Sequence, residues 1–294
     1  MNDRGLWSRL RRLLGFRIAA VLLGVVGIAG VAPRFVVSFS PASHDPRQCS
    51  LRAADGTYQD RLSPSSDHWF GTDAQGCDEF ARVIHGARSS MAIGISAALI
   101  MTVVGTALGV VAGYRGGAVD SVVRRAGDVT LGVPIVVGAI LLLSVLAGEQ
   151  RGPFEIALTL ASLGWPGAAR IARSATRSIV VLPYIESARA LGAGNTRIVV
   201  RHVLPNALPT VIAYATPAVG ALIAAEATLS YLGIGLQIPS VSWGLMIDAA
   251  QPLFDRSPHL LLFPAGFLVA VVAGFVLLGD ALADAVDPHR SRET

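Results

Sequence analysis

The chain has 294 residues, of which 52% are hydrophobic and 15% charged, against about 25% charged in an ordinary soluble domain; this excludes a soluble enzyme and a disordered segment. All 24 basic residues are Arg, which excludes a P-loop lysine and a Schiff-base lysine and leaves any nucleotide chemistry to a partner. The net charge of +4 does not mark a nucleic-acid binder, because the arginines lie between apolar runs rather than on one soluble face.

The first element is an apolar run at 18–33 within a first helix expected over 18–37, behind a basic segment at 1–17. Its length and the sequence Ala32-Pro33-Arg34 fit a first transmembrane helix better than a cleaved signal peptide. A loop follows at 38–88. Beyond it, stretches free of Asp, Glu and Arg cover 89–114, 129–148, 202–225 and 257–279, each long enough for the roughly 20 apolar residues that cross a bilayer. A shorter stretch at 156–169 completes a span if Glu155 sits at the interface. The pattern predicts an all-α integral membrane protein of six transmembrane helices, with a membrane core over 89–281 and a tail at 282–294.

Arginine counts orient the spans. Arg4, Arg9, Arg11, Arg12 and Arg17 precede the first. Arg115, Arg124 and Arg125 lie between the second and third, and Arg170, Arg173, Arg177, Arg189, Arg197 and Arg201 between the fourth and fifth. The remaining connections carry no basic excess. Both termini and the segments 115–128 and 170–206 are therefore expected on the cytoplasmic side, and 38–88 outside.

Within the second span, Gly105, Gly109 and Gly113 recur every four residues, which lines them on one face and predicts close helix packing. Pro134, Pro209 and Pro217 predict kinks. Cys49 and Cys77, the two cysteines, fall in the outer loop, where an oxidising compartment predicts a disulfide. His44, His68 and His85 share that loop but lack the short paired spacing of a zinc motif, so no metal or other cofactor is expected in this chain. Glu226, at the end of the fifth span, has two readings: a gate or helix-pairing group, or an interfacial charge that reaches water. His259 and Ser257 have no orienting acid in sequence, and no catalytic triad is readable.

The segment 170–206 is the least membrane-like. Pro183 opens a helix on which Ile185, Ala188 and Leu191 form one apolar stripe. Gly192 and Gly194 stop it, and Asn195 caps a second helix running to about Leu204. Such a helix, held between two spans, can plug a groove in a soluble partner. Composition alone slightly favours an interfacial helix lying on anionic headgroups.

Glu186-Ser187-Ala188, then Gly192, then Leu204-Pro205 resembles the EAA loop of ABC importer permeases, with Ser187 at its second position and His202 in place of an Ile. His68-Trp69-Phe70-Gly71-Thr72-Asp73 with Gly76-x-Asp78 resembles the segment before the second span in the oligopeptide/dipeptide/nickel family, with Cys77 where that family has Arg. Tyr114-Arg115-Gly116-Gly117-x-x-Asp120, the run Leu229 to Gly235 with Pro239 and Trp243-Gly244, and Asp287-Pro288 resemble further stretches of the same family, in the same order. The segment His68 to Asp73 points to the C-type subunit of the family's permease pair.

The resemblance implies a transport subunit of the cell membrane without a catalytic site of its own. A homologous permease would complete the pathway, one or two P-loop ATPase subunits would hold ATP and Mg, and an extracytoplasmic binding protein would deliver substrate. Glu186, Ser187, Ala188, Arg189, Gly192, Leu204 and Pro205 would form the ATPase-docking surface, with Arg189 either pairing with the ATPase or solvated. The expected substrates are di- or oligopeptides. Alternatives are nickel or another small solute in the same family, or a proton-coupled secondary transporter built on Glu226.

Overall fold

Asp78 starts the longest helix of the protein. Its Oδ2 accepts the Ala81 N–H at 2.9 Å, the arrangement of an N-cap, and the helix then runs over Glu79–Arg115. The computed structural model describes residues 14–41, 45–46, 49–52, 56, 58–146 and 152–286. In chain order the helices are α1 (Leu14–Val31), α2 (Pro33–Val37), α3 (Glu79–Arg115), α4 (Gly117–Leu131), α5 (Ile135–Leu146) and α6 (Pro153–Val180). Then come α7 (Pro183–Ala190), α8 (Asn195–Ile198), α9 (Leu204–Tyr231), α10 (Trp243–Ala250) and α11 (His259–Val286). A π-helical turn, Val199–Val203, joins α8 to α9. No β-strand occurs among the described residues, only the isolated bridges Arg52–Tyr58 and Thr72–Asp78.

Several boundaries differ from those the sequence suggests. The loop expected over 38–88 ends at Asp78, because the Asp78 cap starts α3 ten residues before the charge-free stretch. The helix expected over 18–37 is broken at Pro33 into α1 and α2, since proline has no N–H to continue the first helix. The stretch 129–148 is not one helix: Gly132 to Pro134 separate α4 from α5, which are bent 90° to each other. α6 continues past the apolar run at 156–169 to Val180, and α11 continues to Val286. Pro209 and Pro217 lie inside α9.

Four helical stretches among the described residues are long and apolar enough to cross a membrane: α1, α3, the continuous run 195–231, and α11. The bent α4–α5 pair makes a fifth. α6 has the length, but Glu155 at one end and Arg170, Arg173 and Arg177 at the other confine its apolar part.

α3 is the central post of the bundle. Its strongest partner is α6, and the glycine face makes this approach possible. A Cβ on Gly105 would sit 2.6 Å from the Ala168 Cβ, one on Gly109 would run into the Ala169 carbonyl, and one on Gly113 would lie 2.9 Å from the Thr176 Cβ. Small residues on α6 thus meet glycines on α3. Three apolar clusters stack along the bundle. The middle one joins α3, α5, α6 and α9. One end, around Trp243, joins α1, α3, α10 and α11. The opposite, arginine-rich end joins α3, α6, α7, α8 and α9.

Candidate functional site

At the arginine-rich end, α7 and α8 project as a short helical hairpin. Pro183 occupies the first turn of α7, where its missing N–H costs nothing. The chain reverses at Gly192, whose φ of +82° is a conformation that other residues adopt at a cost of roughly 1–2 kcal/mol. The Ala193 N–H returns to the Ala188 carbonyl at 3.0 Å and the Gly192 N–H to that of Arg189 at 2.9 Å, closing the end of α7.

Two isoleucines hold the hairpin down. Ile185 and Ile198 are fully buried in the cluster with Val110 of α3, Ala172 and Ile179 of α6, and Val203 and Ala207. Each such burial stabilises by roughly 1.5–3 kcal/mol. The other edge of α7 is free: Tyr184, Glu186, Ser187 and Arg189 are exposed, and Ala188 is half-buried. The expected stripe of Ile185, Ala188 and Leu191 is not one face. α7 stops at Ala190, and Leu191, beyond it, turns outward with 88% of its surface exposed. An apolar side chain so exposed at a tip is a feature that the stripe reading does not anticipate. Leu204 packs beside the Ile185 cluster, and Pro205 is an exposed residue of the first turn of α9. These two belong to the base of the hairpin. Asn195 is the first residue of α8 rather than its cap, which is Gly194.

Tyr114, near the end of α3, links the bundle to the hairpin. Its hydroxyl donates to Asn195 Oδ1 at 2.8 Å, and the Arg189 guanidinium lies 5.9 Å from its ring centre, within cation–π range. Tyr184 of α7 faces His202 of the π turn, with ring centres 6.1 Å apart.

Beside the hairpin, Asp120 of α4 gathers three arginines. Arg173 donates through Nε and Nη2, the latter at 2.8 Å; Arg177 Nη2 donates at 2.9 Å; and Arg124 Nε lies 3.5 Å away. α4 carries four charges, Asp120, Arg124, Arg125 and Asp128, so Asp120 lies on the polar part of the bent pair, whose apolar part begins at Val129. The Arg173 hydrogen bonds hold the Asp120 carboxyl below the usual aspartate range, against the opposing effect of its burial. What covers this carboxylate is the arginine side chains rather than depth in the protein. Asp128 pairs with Arg170 at 2.6 Å, both exposed. The sequence offered Asp120 only as part of a motif; two of its three arginine partners, Arg173 and Arg177, lie more than fifty positions away.

At the opposite end, Cys49 and Cys77 are joined by a disulfide. The residues around it explain the local motif. Asp73 Oδ1 accepts the N–H groups of Gln75 and Cys77 at 2.8 and 2.9 Å, and its other oxygen pairs with Arg82. Thr72 bonds to Leu62 and Gln59, and His68 Nδ1 lies 3.0 Å from Asp78 Oδ1. Phe70 stacks on Phe263 of α11 at 3.9 Å. The segment is thereby fixed to both α3 and α11. His85 Nδ1 contacts the Ala81 carbonyl at 2.9 Å, and His44 lies outside the described residues. The described residues hold no group of His, Cys, Asp and Glu arranged for a metal ion.

Glu226 is 0% exposed, so it does not reach water. Ser230 Oγ donates to its Oε1 at 2.8 Å, while Oε2 has no hydrogen-bond partner. The hydroxyls of Ser90 and Ser242 face the same carboxyl. They are themselves engaged: Ser90 Oγ accepts the Trp243 N–H and Ser242 Oγ that of Leu245, both at 3.3 Å. Glu226 thus sits where α3, α9 and α10 meet.

Residues 105–292 match the family described as "Binding-protein-dependent transport system inner membrane component". The dipeptide transport system permease protein DppC of Bacillus subtilis is 42% identical over 236 residues, 80% of this chain and 72% of that protein. The oligopeptide transport system permease protein OppC of the same organism is 39% identical, over 76% of this chain and 73% of that protein. The glutathione transport system permease protein GsiD of Pectobacterium atrosepticum is 38% identical, over 78% and 76%. Among solved structures, the MetNI methionine ABC transporter in an inward-facing conformation is alike in fold, with a TM-score of 0.55 at 20% identity, covering 70% of this chain and 96% of that one.

Proposed function

Because the chain belongs to the family of inner membrane components of binding-protein-dependent transport systems, we propose that it forms one half of the membrane pathway of an ATP-driven importer of short peptides. The peptide substrate rests on the relatives, whose names specify dipeptide, oligopeptide and glutathione transport. A homologous permease supplies the other half of the pathway, and one or two P-loop ATPases bind ATP and Mg. An external binding protein delivers the peptide.

The observation that carries this reading is the hairpin of α7 and α8: one edge anchored by Ile185 and Ile198, the other, from Tyr184 to Gly192, projecting with an exposed leucine at its tip. An ATPase cleft that receives Glu186, Ser187, Ala188, Arg189 and Leu191 grips the free edge. Closure of the ATPases pulls on α7, and the buried isoleucines pass the displacement to α3, α6 and α9. The arginine-rich end and both termini face the cytoplasm, and the disulfide end faces the outside, the compartment in which disulfides persist.

Purification of the tagged chain in mild detergent tests this. The expected result is co-purification of a second permease and P-loop ATPases, with ATP hydrolysis stimulated by a peptide-loaded binding protein. Gly192→Trp abolishes the stimulation while membrane insertion persists. Recovery of the chain without ATPases, with uptake collapsed by a protonophore, would overturn the reading in favour of a secondary carrier.

A further inference from the structure

A cavity of about 330 Å³ opens at the disulfide end, between the start of α3, the disulfide and α10. Asp73, Glu79, Arg82 and Asp248 bring charge to its wall, and Met246 and Leu260 make part of it apolar. The charges are unbalanced. Arg82 is paired with Asp73; its charge also acts on Glu79, but no ion pair joins the carboxyl of Glu79 or of Asp248 to a cation among the described residues. Glu79 is buried, with 3% of its surface exposed, and no hydrogen bond or ion pair from the described residues reaches its carboxyl. A buried carboxyl in that state is costly unless something supplies a donor. The same wall holds a second orphan: Arg82 Nε is buried and has no acceptor.

A carboxyl lacking a hydrogen-bond donor beside an N–H lacking an acceptor is the complement of a primary ammonium next to a carbonyl. Those two groups stand side by side at the amino terminus of a peptide. We propose that this cavity receives the amino-terminal residue of a peptide, its ammonium on Glu79, its first carbonyl on Arg82 Nε–H and its side chain against Met246 and Leu260. Asp248, exposed at the rim, attracts the cation as it enters. The assignment rests on the importer reading and gives this chain, rather than the binding protein alone, a share in substrate recognition.

The test uses the complete transport complex in liposomes with this end outward. Ala249, exposed on the cavity wall, is replaced as Ala249→Cys. The native cysteines are bonded to each other, so the new thiol is the one that reacts in this chain. A cationic methanethiosulfonate should modify it faster than an anionic one. A dipeptide with a free amino terminus should slow the reaction, and its N-acetylated form should not. Glu79→Gln should weaken the protection on the order of tenfold, the loss expected for one charge-assisted hydrogen bond. Asp248→Asn, on an exposed side chain, should weaken it less and serves as the second variant if Glu79→Gln lowers the yield of complex. Equal protection by both peptides, or protection unchanged in both variants, would overturn the proposal. Protection by the empty binding protein but not by peptide would also overturn it, in favour of a docked basic side chain. Peptide-stimulated ATP hydrolysis in the same liposomes separates the two readings: stimulation without protection defeats the cavity alone, and protection without stimulation defeats the importer alone.

Discussion

The Tyr114 hydroxyl donates to Asn195 across 81 positions of sequence, tying the end of α3 to the base of the projecting hairpin. The same ring carries the Arg189 guanidinium. One side chain therefore couples the central helix of the bundle to both arms of the hairpin, and a displacement of α7 meets a connected path to α3.

Tyr114→Phe tests this path, because it removes the hydrogen bond and keeps the ring. The expected loss of stability is about 1 kcal/mol. The coupling readout should change more: the number of peptides imported per ATP hydrolysed falls, while ATPase subunits still co-purify. An unchanged ratio would place Tyr114 outside the coupling path.

Asp120 is the electrostatic counterpart of that link. Asp120→Asn leaves Arg173, Arg177 and Arg124 facing one another across a neutral amide. The expected cost is about 1–2 kcal/mol, limited by solvent screening at the half-exposed arginines. The pH dependence has a definite sign. Because the folded carboxyl titrates below its ordinary value, its contribution is complete above the unfolded pKa of about 3.9 and is lost only as pH falls through the lowered value. The gap in melting temperature between wild type and variant should be constant from about pH 5 to 8. A gap that closes within that range would show that another group controls the cluster.

Much of this architecture was legible in the sequence, and the illegible parts have identifiable causes. The four-residue spacing of Gly105, Gly109 and Gly113 reports a helix face directly, because the period of a helix is local; that α6 is what meets it could not be read, since α6 carries three arginines and looks half-soluble. Pro183 and Gly192 delimit α7 through their own backbone chemistry. Leu191 falls outside the expected stripe because periodicity continues past Ala190, where the helix stops. Hydropathy places the start of the second span at Ser89, although α3 starts ten residues earlier, behind its Asp78 cap; charge-free runs measure the apolar layer, not the helix that crosses it. The break before α5 coincides with Pro134, yet its 90° angle depends on α4 packing against α6 through Asp120 and Arg173, a contact with no local signature. The sequence leaves Glu226 with two readings, because its burial depends on α3 and α10, which lie elsewhere in the chain.

The glycine face yields a prediction with an internal control. Gly109→Ala places a methyl group against the Ala169 carbonyl of α6, and overpacking of this kind costs about 1–3 kcal/mol. Gly266→Ala, in α11, meets nothing within 4 Å and should be neutral or stabilise by up to about 1 kcal/mol through helix propensity. Thermal unfolding of the two variants in the same detergent gives the comparison. Equal melting temperatures would mean that the α3–α6 contact relaxes freely.

Glu226 separates a structural carboxyl from a proton-carrying one. Its hydrogen bond with Ser230, and the positions of Ser90 and Ser242, bring three elements onto one side chain. Glu226→Gln retains the shape and an oxygen acceptor for Ser230 and supplies an N–H₂ donor in place of the unpartnered Oε2. Transport and melting temperature should therefore stay close to wild type. Glu226→Ala removes the acceptor and leaves a cavity between α3, α9 and α10, with an expected cost of about 2–4 kcal/mol. An importer driven by ATP should keep its protonophore-insensitive uptake in the Gln variant. A secondary carrier that moves protons through this carboxyl would instead lose uptake in Glu226→Gln while its melting temperature held. Uptake and melting temperature measured on the same preparation decide between the two, because the structural role moves both readouts together and the proton-carrying role moves only the first.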